Sequence, residues 1–163
     1  MTQLRGHGIG VEVPRGWDAA VYRRHGDTLA PQSSMSSGAP RQLFYPPILH
    51  LATFPLPPDR GDFGGGALDR MRPHDLFVSL LEFGNDAEGA PLFAHDGVPW
   101  PLHPDDFGPE MMRVPRPGQS GCQRFFRVGH RAFTLYVVIG SHALRGVLVP
   151  RVNTALAGID LSG

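Results

Sequence analysis

The strongest constraint on the fold lies near the end of the chain, in two strand-like segments that a short turn separates. Side chains alternate in direction along residues 121–128 and 131–139, and Gly129-His130 lies between the two segments. A two-residue connection that contains glycine is typical of a β-hairpin. The chain is therefore expected to contain an antiparallel strand pair, against which other elements pack their apolar sides.

A helix is predicted after this hairpin. Apolar residues recur every three or four positions at 144, 148, 152, 156 and 159, which is the spacing of one helix face. Pro150 has no amide hydrogen, and proline fits best in the first turn of a helix. We therefore expect the regular helix to begin near residues 149–150 and to end before Gly158.

Two short segments near the start of the chain have the pattern of paired strands. Apolar residues alternate along residues 9–13, and a second strand-like segment covers residues 18–25. The sequence Pro-Arg-Gly-Trp at 14–17, between them, is typical of a turn. These segments predict another hairpin.

The middle of the chain adds two apolar runs of strand length, residues 48–54 and 75–83, and a short helix is expected between them over residues 67–71. The second run is apolar on both faces, which favours a central strand that is covered above and below. The predicted fold class is α+β. We expect one globular domain over residues 1–163, with a twisted, mostly antiparallel sheet and the C-terminal helix on one face.

Two segments lack regular periodicity. Residues 26–42 are rich in Ser, Gly, Pro and Gln and are expected to form a flexible loop. Residues 84–119 contain many prolines and several large apolar side chains, and loops of this length are usually functional or packed against the protein body. We expect this long proline-rich loop to be ordered and to cover the second face of the sheet.

The charged residues exclude several kinds of chemistry. The 15 basic residues are all arginine and are balanced by 15 acidic residues. Without lysine the chain cannot form a lysine Schiff base, attach pyridoxal phosphate, build a P-loop or use a lysine base. A neutral chain also lacks the long-range positive field that nonspecific nucleic-acid binding needs, so no nucleic-acid partner is expected.

Neither a disulfide nor membrane insertion is predicted. Cys122 is the single cysteine, which excludes an internal disulfide and a CxxC motif. No apolar run approaches the roughly 18 residues of a membrane-spanning helix, and the chain begins without an apolar segment of signal-peptide length. We therefore expect a cytoplasmic location, and the absence of a cofactor fingerprint predicts no cofactor.

Two parts of the chain resemble the PsbP-like superfamily. The Val-Pro-Arg-Gly-Trp sequence at 13–17 is similar to the "VPxGW" turn of that superfamily, and the ending is similar in its strand at 132–139 and in its helix with Val152-Asn153-x-x-Leu156. The resemblance implies an antiparallel sheet flanked by helices. It also implies binding rather than catalysis, as in photosystem accessory proteins and secretion chaperones, and it carries over no functional residue.

The long loop contains a candidate metal site. His95, His103 and Asp105 offer the imidazole and carboxylate groups that bind zinc or iron. The alternative is that His-Asp and Pro-Asp pairs in this stretch cap turns.

The same loop contains a candidate protein-binding surface formed by Trp100, Met111, Met112 and Arg113. Tryptophan, methionine and arginine are enriched at protein interfaces. The alternative is that the aromatic and methionine side chains close the core.

The favoured function is a noncatalytic adaptor, chaperone or accessory subunit that binds another protein. No acid and base occur together at the spacing of a catalytic motif, so no catalytic residue is predicted. Two alternatives remain open. One is a metal-assisted hydrolase built on His95, His103 and Asp105, and the other is a self-assembling homo-oligomer, such as a homodimer, in which strand faces complete each other.

Overall fold

The computed structural model describes residues 1–23, 45–84 and 87–163. It contains two antiparallel sheets and one α-helix, so the predicted α+β fold class is confirmed. The flexible loop expected over residues 26–42 lies outside the described residues. The strands are β1 Thr2–Gly6, β2 Ile9–Val13, β3 Asp18–Arg23, β4 Pro47–Ala52, β5 Leu76–Phe83, β6 Ser120–Val128, β7 Arg131–Ile139 and β8 Ile159–Asp160, and the helix is α1 Arg145–Leu156.

Three strands form a small sheet in the order β1-β2-β8. His7 and Gly8 join β1 to β2 with φ angles of 51° and 78°, which fit a type I′ turn because that turn needs two positive φ angles. The predicted hairpin between residues 9–13 and 18–25 is wrong, because β1 occupies one edge of β2 and β8 occupies the other. The turn over residues 14–17 instead leads the chain into the second sheet.

The second sheet has five strands in the order β3-β4-β5-β7-β6, and each neighbouring pair is antiparallel. The strands predicted within residues 48–54, 75–83, 121–128 and 131–139 are all present, and β5 lies at the centre as its two apolar faces indicate. A 3-10 helix, Gly65–Arg70, stands where a short helix was expected. The long connection from β5 to β6 passes the intervening strand β7.

One face of the five-stranded sheet, here called the helix face, packs against α1 and the small sheet. Leu80 of β5 and Leu135 of β7 are paired in the register and point to this face. They belong to one apolar core that also contains Val11 of β2 and both Val152 and Leu156 of α1. The core therefore joins the two sheets and the helix, and its burial is the main stabilising contribution expected for this fold.

The opposite face, here called the loop face, is covered by irregular segments. Phe63 and Leu68, from the segment over residues 53–71, pack with Phe77 of β5 and Tyr136 of β7. Most of the apolar cover on this face therefore comes from the connection between β4 and β5.

The long loop contributes to both faces rather than to one. Leu102 and Phe107 pack into the core of the helix face, whereas Met112 packs on the loop face. Residues 84–119 were expected to cover the second face, and this expectation is corrected because part of the loop packs on the helix face instead. The chain changes sides at Gly108, whose N–H and carbonyl pair with Gly121 on the edge strand β6 at 3.0 Å each.

Helix α1 begins earlier than the sequence predicts. It follows a 3-10 turn, His142–Leu144, and Pro150 lies inside it, so the predicted start near residues 149–150 is wrong. Pro150 cannot donate to the carbonyl of Gly146, but both residues are exposed, so water can reach that carbonyl. The predicted end before Gly158 is confirmed.

Arg131, the first residue of β7, connects three parts of the chain. Its Nε and Nη2 donate to the two carboxylate oxygens of Glu82 at 2.8 and 3.0 Å. Its Nη1 donates to the carbonyl oxygens of Gly8 at 3.1 Å and Leu161 at 2.8 Å. One planar guanidinium can make these bonds together because its five donors have fixed directions.

Candidate functional site

The structure does not bring the three residues of the predicted metal site together. His95 is exposed, and its carbonyl accepts the backbone N–H of Arg127 at 2.9 Å. The backbone N–H of His103 donates to the carboxylate of Asp106 at 2.8 Å, as in a capped turn, and Asp105 is exposed. Within residues 1–23, 45–84 and 87–163, no group of three or more His, Cys, Asp or Glu residues could hold a metal ion.

The stretch Met111 to Arg113 lies on the loop face and is partly core. Met112 is buried, whereas Met111 is 39% exposed. The backbone N–H of Arg113 donates to the hydroxyl of Tyr136 at 3.1 Å, and the Arg113 guanidinium lies 4.0 Å from the centre of the Phe63 ring. These contacts hold the long loop against the sheet and against the connection between β4 and β5.

Trp100 is held on the helix side of the sheet, apart from the methionine stretch. Its indole N–H donates to the carbonyl of Asn153 in α1 at 3.0 Å. The side-chain amide of Asn153 also bonds to both the backbone N–H and the carbonyl of Leu102, each at 2.8 Å. The residues predicted as one protein-binding surface are therefore divided between two sides of the sheet.

Trp100 borders a groove between the helix and the small sheet. Its side chain is 54% exposed even though its indole nitrogen is hydrogen-bonded. The groove has a volume of about 440 Å³. We call it the Trp100 groove, and it is lined by Met1, Glu12, Trp100, Pro150, Asn153, Thr154, Ala157 and Gly158.

Most of these groove residues could not be found from local sequence patterns. Glu12 lies in β2 and Asn153 in α1, and both are distant in sequence from Trp100. Their approach depends on how the small sheet and the helix pack together. Asn153 belongs to the Val152-Asn153-x-x-Leu156 pattern, but that pattern was read as a sign of the fold and not of a site.

A second polar cluster, which the sequence analysis missed, lies on the loop face around His50. The Nδ1 atom of His50 accepts a hydrogen bond from Arg60 Nε at 2.7 Å, so Nε2 carries the hydrogen and donates to the Asp62 carbonyl at 2.7 Å. The Ser79 hydroxyl donates to the same carbonyl at 2.6 Å. The only signal in the sequence is a histidine in the middle of the apolar strand β4.

Burial keeps His50 neutral. The pKa of His50 is lowered to about 4, and burial is the largest cause; the bond to the Asp62 carbonyl raises the pKa, and the Arg60 cation lowers it. Because His50 is fully buried and both ring nitrogens are occupied within the protein, the arrangement suits a structural anchor.

Cys122 also lies in the core. Burial raises the pKa of its thiol to about 11, while Arg124 acts in the opposite direction. The reactive thiolate is therefore scarce at neutral pH, and Cys122 packs as a small apolar residue.

We found no match for this chain among protein-family models, characterised proteins or solved structures. In the part of the chain that the structure describes, no helix has both the length and the apolar character needed to cross a membrane.

Proposed function

We propose that this protein is a noncatalytic binding module, an adaptor, chaperone or accessory subunit, that holds a segment of another protein in the Trp100 groove. The observation that carries the proposal is a large aromatic side chain that is half exposed and yet fixed in orientation. A fixed aromatic side chain loses little conformational entropy when a partner covers it, and tryptophan is enriched among the residues that dominate binding energy.

The surroundings of Trp100 support the same function. Pro150 and Ala157 add apolar area to the groove, and the Asn153 amide fixes the backbone next to Trp100 through Leu102. The groove is thus formed before any partner binds, which lowers the cost of association. The resemblance to the PsbP-like superfamily, whose members mostly act by binding, adds further support.

We include a reducing, cytoplasmic location in the proposal. It is supported by the single cysteine, Cys122, which is buried in the core.

A photo-crosslinking experiment in the native host tests the proposal. A photoreactive phenylalanine derivative at Thr154, which lines the groove, should give a discrete crosslinked protein. The same amino acid at Val147, which is exposed on the same helix and does not line the groove, should not. Trp100→Ala should remove the product from position 154.

The proposal fails if the products from positions 154 and 147 are the same, or if Trp100→Ala leaves the product at 154 unchanged. Circular dichroism and thermal unfolding of each variant confirm that a lost product reflects lost binding rather than a lost fold.

A further inference from the structure

Another pocket lies on the loop face, between the long loop and the connection from β4 to β5. It has a volume of about 360 Å³ and is lined by residues of the segments 61–68 and 113–116 and by Tyr136 of β7. We call it the Arg113 pocket. It shares no lining residue with the Trp100 groove, so a ligand bound in one does not touch the other.

The guanidinium of Arg113 lies at this pocket without an acidic partner. Its carbon Cζ is 4.0 Å from the centre of the Phe63 ring, which is part of the lining. Arg113 is exposed, and among the described residues its guanidinium makes no ion pair and donates no hydrogen bond. All five of its N–H donors are therefore available to a ligand.

Arg116 brings a second guanidinium to the wall of the pocket. Its Nε donates to the carboxylate of Asp69 at 2.6 Å. Its Nη1 and Nη2 donate to the carbonyls of Val114 and Gly65, at 3.1 and 3.0 Å, and both of these residues line the pocket. Because each terminal nitrogen carries two hydrogens, Arg116 keeps two donors although Asp69 balances its charge.

The acceptor groups of the pocket, in contrast, are already in use. The backbone carbonyls of Gly61, Asp62 and Leu68 accept hydrogen bonds from other parts of the protein. The hydroxyl oxygen of the buried Tyr136 accepts the backbone N–H of Arg113, and its own hydrogen has no acceptor among the described residues. Asp62 is the one acidic residue in the lining, and it is not without a partner. The unused polar groups are therefore mainly donors, and the unpaired charge is the cation of Arg113.

We propose that the Arg113 pocket binds a small molecule through an oxyanion group, a phosphate or a carboxylate. The oxygens of such a group accept hydrogen bonds, which matches a pocket whose unused polar groups are donors. The planar fork of a guanidinium also fits two oxygens of one phosphate or carboxylate. A volume of about 360 Å³ lies within the range of small-molecule sites.

The rest of the ligand is expected to be apolar, because the pocket also presents Phe63, which is partly buried, and Val114, which is 59% exposed. Both arginines belong to the long loop, whereas Phe63 belongs to the connection between β4 and β5. A ligand in the pocket contacts both segments. Binding should therefore raise the midpoint of thermal unfolding, since the pocket exists only in the folded protein. This site goes beyond the proposed function and does not depend on it.

Titration calorimetry with three probes that share one ring tests the proposal. Phenyl phosphate and benzoate carry the two oxyanions, and benzamide is their neutral counterpart. The full-length protein should bind at least one of the two anions about tenfold more tightly than benzamide, because a hydrogen bond to a charged group is stronger than one between neutral groups. The anion that binds more tightly identifies the oxyanion that the site prefers.

Two matched variants locate the site. Arg113→Gln should bind the preferred anion about tenfold more weakly than wild type and should lose the rise in unfolding midpoint. Arg72→Gln, the same change at an exposed arginine outside the pocket, should bind it like wild type. Circular dichroism of both variants without ligand checks that the fold is intact.

The proposal is overturned if both anions bind no more tightly than benzamide. It is also overturned if Arg113→Gln binds the preferred anion as wild type does, or if Arg72→Gln weakens binding to the same extent. Arg113→Lys gives a further check, because it keeps the charge but loses the fork. Its affinity should lie between those of wild type and Arg113→Gln.

Discussion

The two faces of the five-stranded sheet are covered in different ways. On the helix face, α1 and the small sheet pack aliphatic side chains against the aliphatic and aromatic side chains of the five-stranded sheet in one core. On the loop face, irregular segments cover the sheet, and His50, Ser79 and Thr134 are buried among apolar residues. Both faces are buried, but on the loop face some of the buried side chains that the strands contribute are polar.

The difference shows what irregular backbone requires from the sheet that it covers. A buried segment without regular hydrogen bonding leaves carbonyl groups that need donors. His50 and Ser79 supply two such donors to the carbonyl of Asp62. The helix face should therefore be most sensitive to loss of side-chain volume, and the loop face to a change in protonation.

The largest effect on the free energy of unfolding is expected when a large side chain on the helix face is replaced by alanine. Phe133 is fully buried, and its ring stacks on Phe126 with the ring centres 5.3 Å apart. Phe133→Ala should lower the free energy of unfolding by about 3–5 kcal/mol, because it removes apolar contacts and leaves a cavity. Urea unfolding at pH 7 measures this loss. The exposed control Val147→Ala should stay within about 0.5 kcal/mol of wild type, and a loss below about 1 kcal/mol for Phe133→Ala would contradict the prediction.

Low pH should destabilise mainly the loop face. The pKa of His50 is lowered from 6.5 to about 4, so the unfolded chain binds more protons than the folded protein between these pH values. The contribution of His50 is complete above pH 6.5 and is lost as the pH falls towards 4. Over this window it amounts to roughly 3 kcal/mol.

Hydrogen exchange and urea unfolding at several pH values test this expectation. Protection over residues 53–71 should decrease with falling pH before protection in α1 does. His50→Gln provides the control, since its unfolding free energy should lose most of its slope between pH 6.5 and 5. If wild type and the variant keep the same slope, His50 is not the group that makes the loop face sensitive to acid.

The smallest expected effect on the free energy of unfolding comes from replacing two neighbouring methionines of the long loop. Met112 is 5% exposed and packs on the loop face, whereas Met111 is 39% exposed. Met112→Ala should lower the free energy of unfolding by about 2 kcal/mol, and Met111→Ala by about 0.5 kcal/mol or less. Thermal unfolding of the two single variants ranks them directly. Equal midpoints would mean that the loop face tolerates loss of volume better than its burial indicates.

Much of the fold could be predicted because its strands have strong local patterns. Strand β5 is apolar on both faces, and β6 and β7 alternate around a glycine turn, so their existence and the central place of β5 followed from the sequence. Strand β1 could not be found in this way, since Thr2–Gly6 contains one apolar side chain, Leu4. Missing that strand also led to the wrong partner for β2.

The remaining differences arise from solvent exposure and from packing between distant segments. Pro150 was expected at a helix start, but it is tolerated inside α1 because the carbonyl that it leaves unpaired is on the exposed side. In the candidate site, Trp100 was predicted as a binding residue by its type alone. Its relation to Glu12 and Asn153 depends on the arrangement of two sheets and a helix, which no local pattern encodes.

The hydrogen bonds of Arg131 have a consequence for how the protein opens. The bond from its guanidinium to Leu161 ties down the end of the chain, and the bond to Gly8 ties down the turn between β1 and β2. Both depend on the orientation that Glu82 imposes on one side chain. A protease should therefore cleave either segment only after one shared opening event. The opening rate obtained from cleavage should then be the same for both segments.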